Sequence, residues 1–161
     1  VGDHYRNFQV VGGLQTKSTE EFEGIITGVE GRMMQYVVGS AGRVEIDTSY
    51  EVLHEYQGVV LVKEIGSHAK TGIFGDGHQA YVSVRERPNG SFTYGIGKIA
   101  FFKLEMAPLF KGLNVLEKTQ DSEDQWGGGN TCGGSPRVNG SLLQPNEVFS
   151  EVKQQLKSTG L

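Results

Sequence analysis

A single cysteine, Cys132, leaves this sequence without any intrachain disulfide. That excludes a disulfide-stapled secreted scaffold and makes a reducing cytoplasm the expected compartment. Apolar runs are short; none approaches the roughly 20 residues of a membrane-spanning helix, so no membrane partner is expected. The opening residues VGDHYRNFQ carry neither the charged start nor the apolar centre of a signal peptide. Positive charge is also scarce: 15 Lys and Arg against 19 Asp and Glu give a net charge of −4. A protein that coats nucleic acid electrostatically is thereby excluded, although a local basic pocket for one phosphate or a short oligonucleotide is not.

Glycine, in contrast, is abundant, with 24 of 161 residues, about twice the usual share. No fixed-period repeat accounts for it. The densest stretch is WGGGNTCGGSPRVNG, Trp126 to Gly140, which also holds the only Trp and the only Cys.

The local patterns predict an α+β fold, with a mixed or mainly antiparallel sheet and flanking helices. Residues 1–38 read as an N-terminal segment and helix, and 39–161 as the α+β domain, within one globular unit. Ser18 and Glu21 match a capping box, and Phe22, Ile25, Ile26, Val29, Met33 and Val37 follow at helical spacing. RVEID after Gly42 alternates like a half-buried strand, and GVVLVKEI from Gly58 reads as a buried one. GSHAKTGIFGDGH is part loop, part short strand or helix. AYVSVRER and SFTYGIGKI flank Pro88-Asn89-Gly90, a strong hairpin signal. In the first of them Tyr81, Ser83 and Arg85 face one side, Val82, Val84 and Glu86 the other. AFFKLEMAPLFKGLNVLEK is partly helical, KTQDSEDQ is an exposed connector whose acids form a solvated face, and GSLLQ is a candidate strand. Pro145 suits a first helical turn before Val148, Phe149, Val152 and Leu156.

The glycine stretch fits two readings. Consecutive glycines reach positive φ, and their N–H groups then converge into an anion-binding nest. Gly127, Gly128 and Gly129, and then Gly133, Gly134 and Ser135, are the two candidates, with Arg137 as a nearby cation. The other reading is a surface loop or close backbone packing. No Gly-Lys-Ser/Thr ends the stretch and no βαβ unit surrounds it, so it is neither a Walker A loop nor a dinucleotide fingerprint. Arg85 offers a planar fork for a phosphate, or pairs with an acidic neighbour at the surface. His68 and Lys70 in GSHAKTG are further phosphate candidates. The four histidines show no metal-ligand spacing, one Cys makes no zinc site, and no catalytic set is visible. Cys132 would be a nucleophile only with a lowered pKa.

YVSVRER, a helix, GGG, GGSPR and a final strand–helix together resemble the DHHA1 domain, the C-terminal half of DHH-family phosphoesterases. The resemblance covers roughly Gly58 to Leu156. It implies that Arg85 and the backbone of Gly127, Gly128 and Gly129 hold the phosphate or terminal nucleotide of a substrate. That substrate would be a short oligonucleotide, a nucleotide or another phosphate ester. Asn130 stands where the family's loop reads His, which shifts weight to GGSPR and Arg137. Asp3-His4-Tyr5 is not the family's DHH run. The chain is therefore expected to bind rather than hydrolyse, to use no cofactor itself, and to leave Mn or Mg to a separate DHH domain. Oligomeric state stays open, a homodimer included. The competing expectation is a non-catalytic ligand-binding or assembly module with a structural glycine loop.

Overall fold

The computed structural model describes residues 18–42 and 45–158; Asp3, His4 and Tyr5, and Arg43 and Val44 of RVEID, lie outside them. Contacts divide the chain into Val1–Glu45 and Ile46–Leu161.

In the first unit, helix α1 spans Thr19–Val37. The Ser18 hydroxyl accepts from Glu21 N–H while the Glu21 carboxylate accepts from Ser18 N–H, the reciprocal capping box that the sequence predicts.

The second unit is α+β. Its order is β1 (Tyr50–Tyr56), β2 (Val59–Glu64), α2 (Ala69–Gly75), β3 (Ala80–Glu86), β4 (Phe92–Lys98), α3 (Met106–Glu117), β5 (Gly127–Gly128), β6 (Cys132–Gly134) and α4 (Pro145–Ser158). The strands form one mixed sheet in the order β1-β2-β3-β4-β6-β5. Only β2 and β3 run parallel, joined by the crossover through α2, because parallel neighbours cannot be linked by a tight turn.

Period-two alternation gives the sheet two unlike faces. Leu61, Val82, Val84, Tyr94 and Ile96 project towards α3 and α4, where Leu109, Phe110, Leu113, Val148, Phe149 and Val152 complete the main core. The opposite face is covered at β1–β3 by α2, whose Ile73 packs on Val60, Val62 and Tyr81. The β3–β4 turn forms as expected, with Gly90 at φ +81 and the Asn89 side chain accepting from Ser91 N–H.

Three expectations change. RVEID does not form a strand over its described residues; the strand lies later, at Tyr50–Tyr56, where pairing with β2 organises a polar segment. GSLLQ contributes only an isolated bridge between Ser141 and Phe92. The glycine stretch is no loop over its first half: it is the β5–β6 hairpin, added to the sheet through β4.

Candidate functional site

Pairing aligns Ser83, Gly95, Gly134 and Gly127 in one row across four strands. In the next row Tyr81, Gly97 and Cys132 align. The glycines of the first row lie on the α2 face, beyond the strands that α2 covers, so glycine backbone at Gly95, Gly134 and Gly127 floors part of an open groove of about 1050 Å³. That is the upper end of small-ligand pockets, about 300–1,000 Å³. Its lining includes Lys70, Tyr81, Thr93, Gly95, the glycines of the hairpin, Cys132, Ser135 and Arg137.

Each glycine has a local reason. At Gly127 an added Cβ would meet nothing within 4 Å. At Gly95 it would lie 3.1 Å from the Lys70 ammonium and 2.9 Å from the Ser83 hydroxyl, so Lys70 reaches directly over the floor. At Gly97 it would lie 2.6 Å from the Tyr81 ring, which fills the space instead. Gly128, Gly133 and Gly134 serve close packing: their Cβ atoms would strike Gly133 and Cys132, the Phe110 ring and the Gly127 carbonyl, and the Tyr94 carbonyl respectively.

The nest expected at these glycines does not form. None of Gly127, Gly128, Gly129, Gly133 or Gly134 has a left-handed φ, and their backbone groups are drawn into strand pairing, as in Gly129 N–H donating to Cys132 O at 2.8 Å. Ser135 is committed too: its hydroxyl accepts from Tyr94 N–H at 3.0 Å and its own N–H donates to Tyr94 O. A convergent set of N–H groups does exist one step later. Arg137, Val138 and Asn139 aim theirs at Asp124, at 2.7, 3.2 and 2.9 Å. Asp124 is therefore a brace for the groove rim, while the connector's Asp121 and Glu123 are exposed, as a solvated face requires. These bonds, that of Asn139 foremost, hold the Asp124 carboxyl below the usual carboxylate range.

Three cations line the groove, in different states. Arg87 is spent: it donates to Thr93 Oγ1 at 2.7 Å, Val138 O at 2.9 Å and Arg137 O at 3.0 Å. Arg137 binds through its backbone, while its exposed guanidinium makes no hydrogen bond or ion pair among the described residues. Lys70 stands 3.7 Å from Glu64 with its side chain 54% exposed.

Arg85 does not line the groove; its guanidinium bonds Glu64 at 3.0 Å. It belongs to the same face, because Arg85 pairs with Thr93, and Thr93 leads through Arg87 to the 137–138 backbone. His68 lies away from the groove, its Nδ1 at 2.9 Å from the Ser67 hydroxyl and its N–H on Asp47 O. Trp126 is no groove wall either. It is 2% exposed, stacked on Tyr94 at 5.4 Å, and donates Nε1–H to Glu117 at 3.1 Å.

No protein-family model, curated protein or solved structure matches this chain. Among the described residues no group of three His, Cys, Asp or Glu is placed to hold a metal ion, and no helix is long and apolar enough to cross a membrane.

Sequence reasoning missed Gly95, Gly97, Glu64, Arg87 and Asp124. The first two carry a readable signal: in YGIGK they alternate with Tyr94, Ile96 and Lys98, so one face of that strand is bare. The other three act across 6 to 51 positions, where local pattern is silent.

Proposed function

We propose that residues 46–161 form a binding unit for a phosphate ester, the substrate-binding domain of a DHH-type phosphoesterase. The groove takes the phosphate, with Lys70 and Arg137 as its cations and Arg85 held at its margin. One observation carries this reading: a side-chain-free floor, Gly95-Gly134-Gly127, lies beside two cations with donors to spare. Bare backbone lets a ligand approach closely, and a guanidinium and an ammonium supply charge-assisted donors. The glycines work through an open floor rather than a nest, and chemistry belongs to a separate metal-bearing domain.

A second reading is favoured by a specific observation. Gly128, Gly133 and Gly134 have no room for a Cβ, as a purely structural glycine hairpin in an assembly module requires.

Titrating adenosine 5′-monophosphate into the ¹⁵N-labelled protein separates the two. The phosphate reading expects shifts of the Gly95, Gly127 and Gly129 amides, and about 13- to 160-fold weaker binding in Arg137→Ala, the equivalent of about 1.5–3 kcal/mol for a charged hydrogen bond. Glycine amides that stay still at millimolar nucleotide would reject it in favour of the structural hairpin.

A further inference from the structure

Glu64, the last residue of β2, takes no part in the main core and no part in the groove lining. Its side chain is only 15% exposed, while the two cations that it meets are open to solvent, Arg85 at 57% and Lys70 at 54%. One carboxylate oxygen accepts from Arg85 at 3.0 Å and the other stands 3.7 Å from the Lys70 ammonium. The parallel register that sets Lys63 beside Val84 brings Glu64 level with Arg85, and α2 delivers Lys70 from above. One largely buried anion thus meets two exposed cations. One of them, Lys70, reaches over the Gly95 floor.

We propose that Glu64 is a built-in counter-ion of the groove, which tempers its attraction for anionic ligands while keeping Lys70 and Arg85 in place. This rests on the reading of the groove as a phosphate-ester site. Without a ligand, the carboxylate offsets one of the two positive charges. When a phosphate enters, Glu64 remains and repels it, so the site binds more weakly than its cations alone would dictate. The repulsion follows Coulomb's law and scales with the charge of the ligand. A phosphomonoester, at about −1.5 to −2 near neutral pH, feels it more than a diester of the same nucleoside, and a neutral nucleoside does not feel it.

Glu64→Gln tests this, because the amide oxygen still accepts from Arg85 while the charge is lost; the amide NH2 then replaces the oxygen that stood 3.7 Å from Lys70, which releases that ammonium towards the ligand. The probes are adenosine 5′-monophosphate, its 5′-methyl phosphodiester and adenosine, titrated at low salt. The expected result is about three- to fourfold tighter binding of the monophosphate, about twofold for the diester, and no change for adenosine, with the gains shrinking as salt screens the charges. A monophosphate bound equally or more weakly by the variant would overturn the proposal, as would a gain that ignores ligand charge. Should wild type and variant both fail to bind the monophosphate, the phosphate reading falls and the counter-ion role with it. Wild-type protein provides a second measurement that does not depend on how the variant folds. The Glu64 carboxyl carbon and the Arg85 guanidinium signals should move with the same midpoint as the glycine amides. Signals that stay fixed while those amides titrate reject the proposal alone.

Discussion

Adding one methyl group to either of two glycines in the same hairpin should have opposite consequences. Gly127 and Gly133 lie on adjacent strands of β5–β6, yet a Cβ at Gly127 enters open groove, whereas at Gly133 it strikes the Phe110 ring and the Gly127 carbonyl. Phe110 belongs to the main core at 6% exposure, and the carbonyl is held within the sheet, so neither yields cheaply. Overpacking a core by a methylene or so costs about 1–3 kcal/mol; with a backbone atom in the way, about 2–3 is expected for Gly133→Ala. Gly127→Ala has no such penalty. Alanine also restricts the unfolded chain, which stabilises by about 0.4–1 kcal/mol where the native backbone tolerates it. Urea unfolding followed by Trp126 fluorescence resolves the difference, since that side chain is buried and must be exposed on unfolding. With a slope of about 1–3 kcal/mol per molar urea, the two midpoints should differ by about 1 M or more. Ligand affinity should divide the other way, with Gly127→Ala folded but impaired for adenosine 5′-monophosphate. Equal midpoints, or a less stable Gly127→Ala, would refute the distinction between floor and packing glycines.

Two further tests address the rim and the floor. Asp124→Ala strips the acceptor from three backbone N–H groups and should lower the melting temperature at neutral pH. Because the folded carboxyl lies below its unfolded value of about 3.9, its contribution is present above about pH 4 and lost as pH falls through the folded value. Wild type and variant should therefore converge on acidification, and parallel pH–melting curves would reject the brace. Cys132 is exposed and pairs with Gly97 in the floor. Alkylating it should block the groove, adenosine 5′-monophosphate should slow the labelling, and labelling that leaves affinity unchanged would remove Cys132 from the site.

The parts of the fold that the sequence displays are those in which local pattern and tertiary demand coincide. The β3–β4 hairpin has alternation and an Asn-Gly turn; α4 has a proline in its first turn and an apolar stripe whose Val148, Phe149, Val152 and Leu156 are all buried. β1 hides because it is a polar edge strand with an irregular register between Val52 and His54, which destroys period two. The hairpin of glycines hides because glycine has low strand propensity, and only the vacancy beside β4 makes it a strand. Asp124 is unreadable for a related reason: its role is set by three amides 13 to 15 positions away. Arg85 was visible as a mid-strand cation, but its partner Glu64 emerges only from the parallel register of β2 and β3.

The strands that build the floor are also the ones least secured. β5 and β6 have two and three residues, and three residue pairs join β6 to β4, against seven between β3 and β4. Proteins open in cooperative pieces, and segments with few ladder bonds open at the lowest free energy. Hydrogen exchange should then find two populations within a single sheet. Val82 and Ile96 amides will wait for global unfolding, while Cys132 and Gly129 amides exchange through a local opening in which the hairpin peels from β4. In that opened state only the β4 part of the floor, at Gly95 and Gly97, remains. A ligand that binds only the closed floor would slow exchange of the hairpin amides, so the weakest part of the sheet would become the part that a ligand most strengthens.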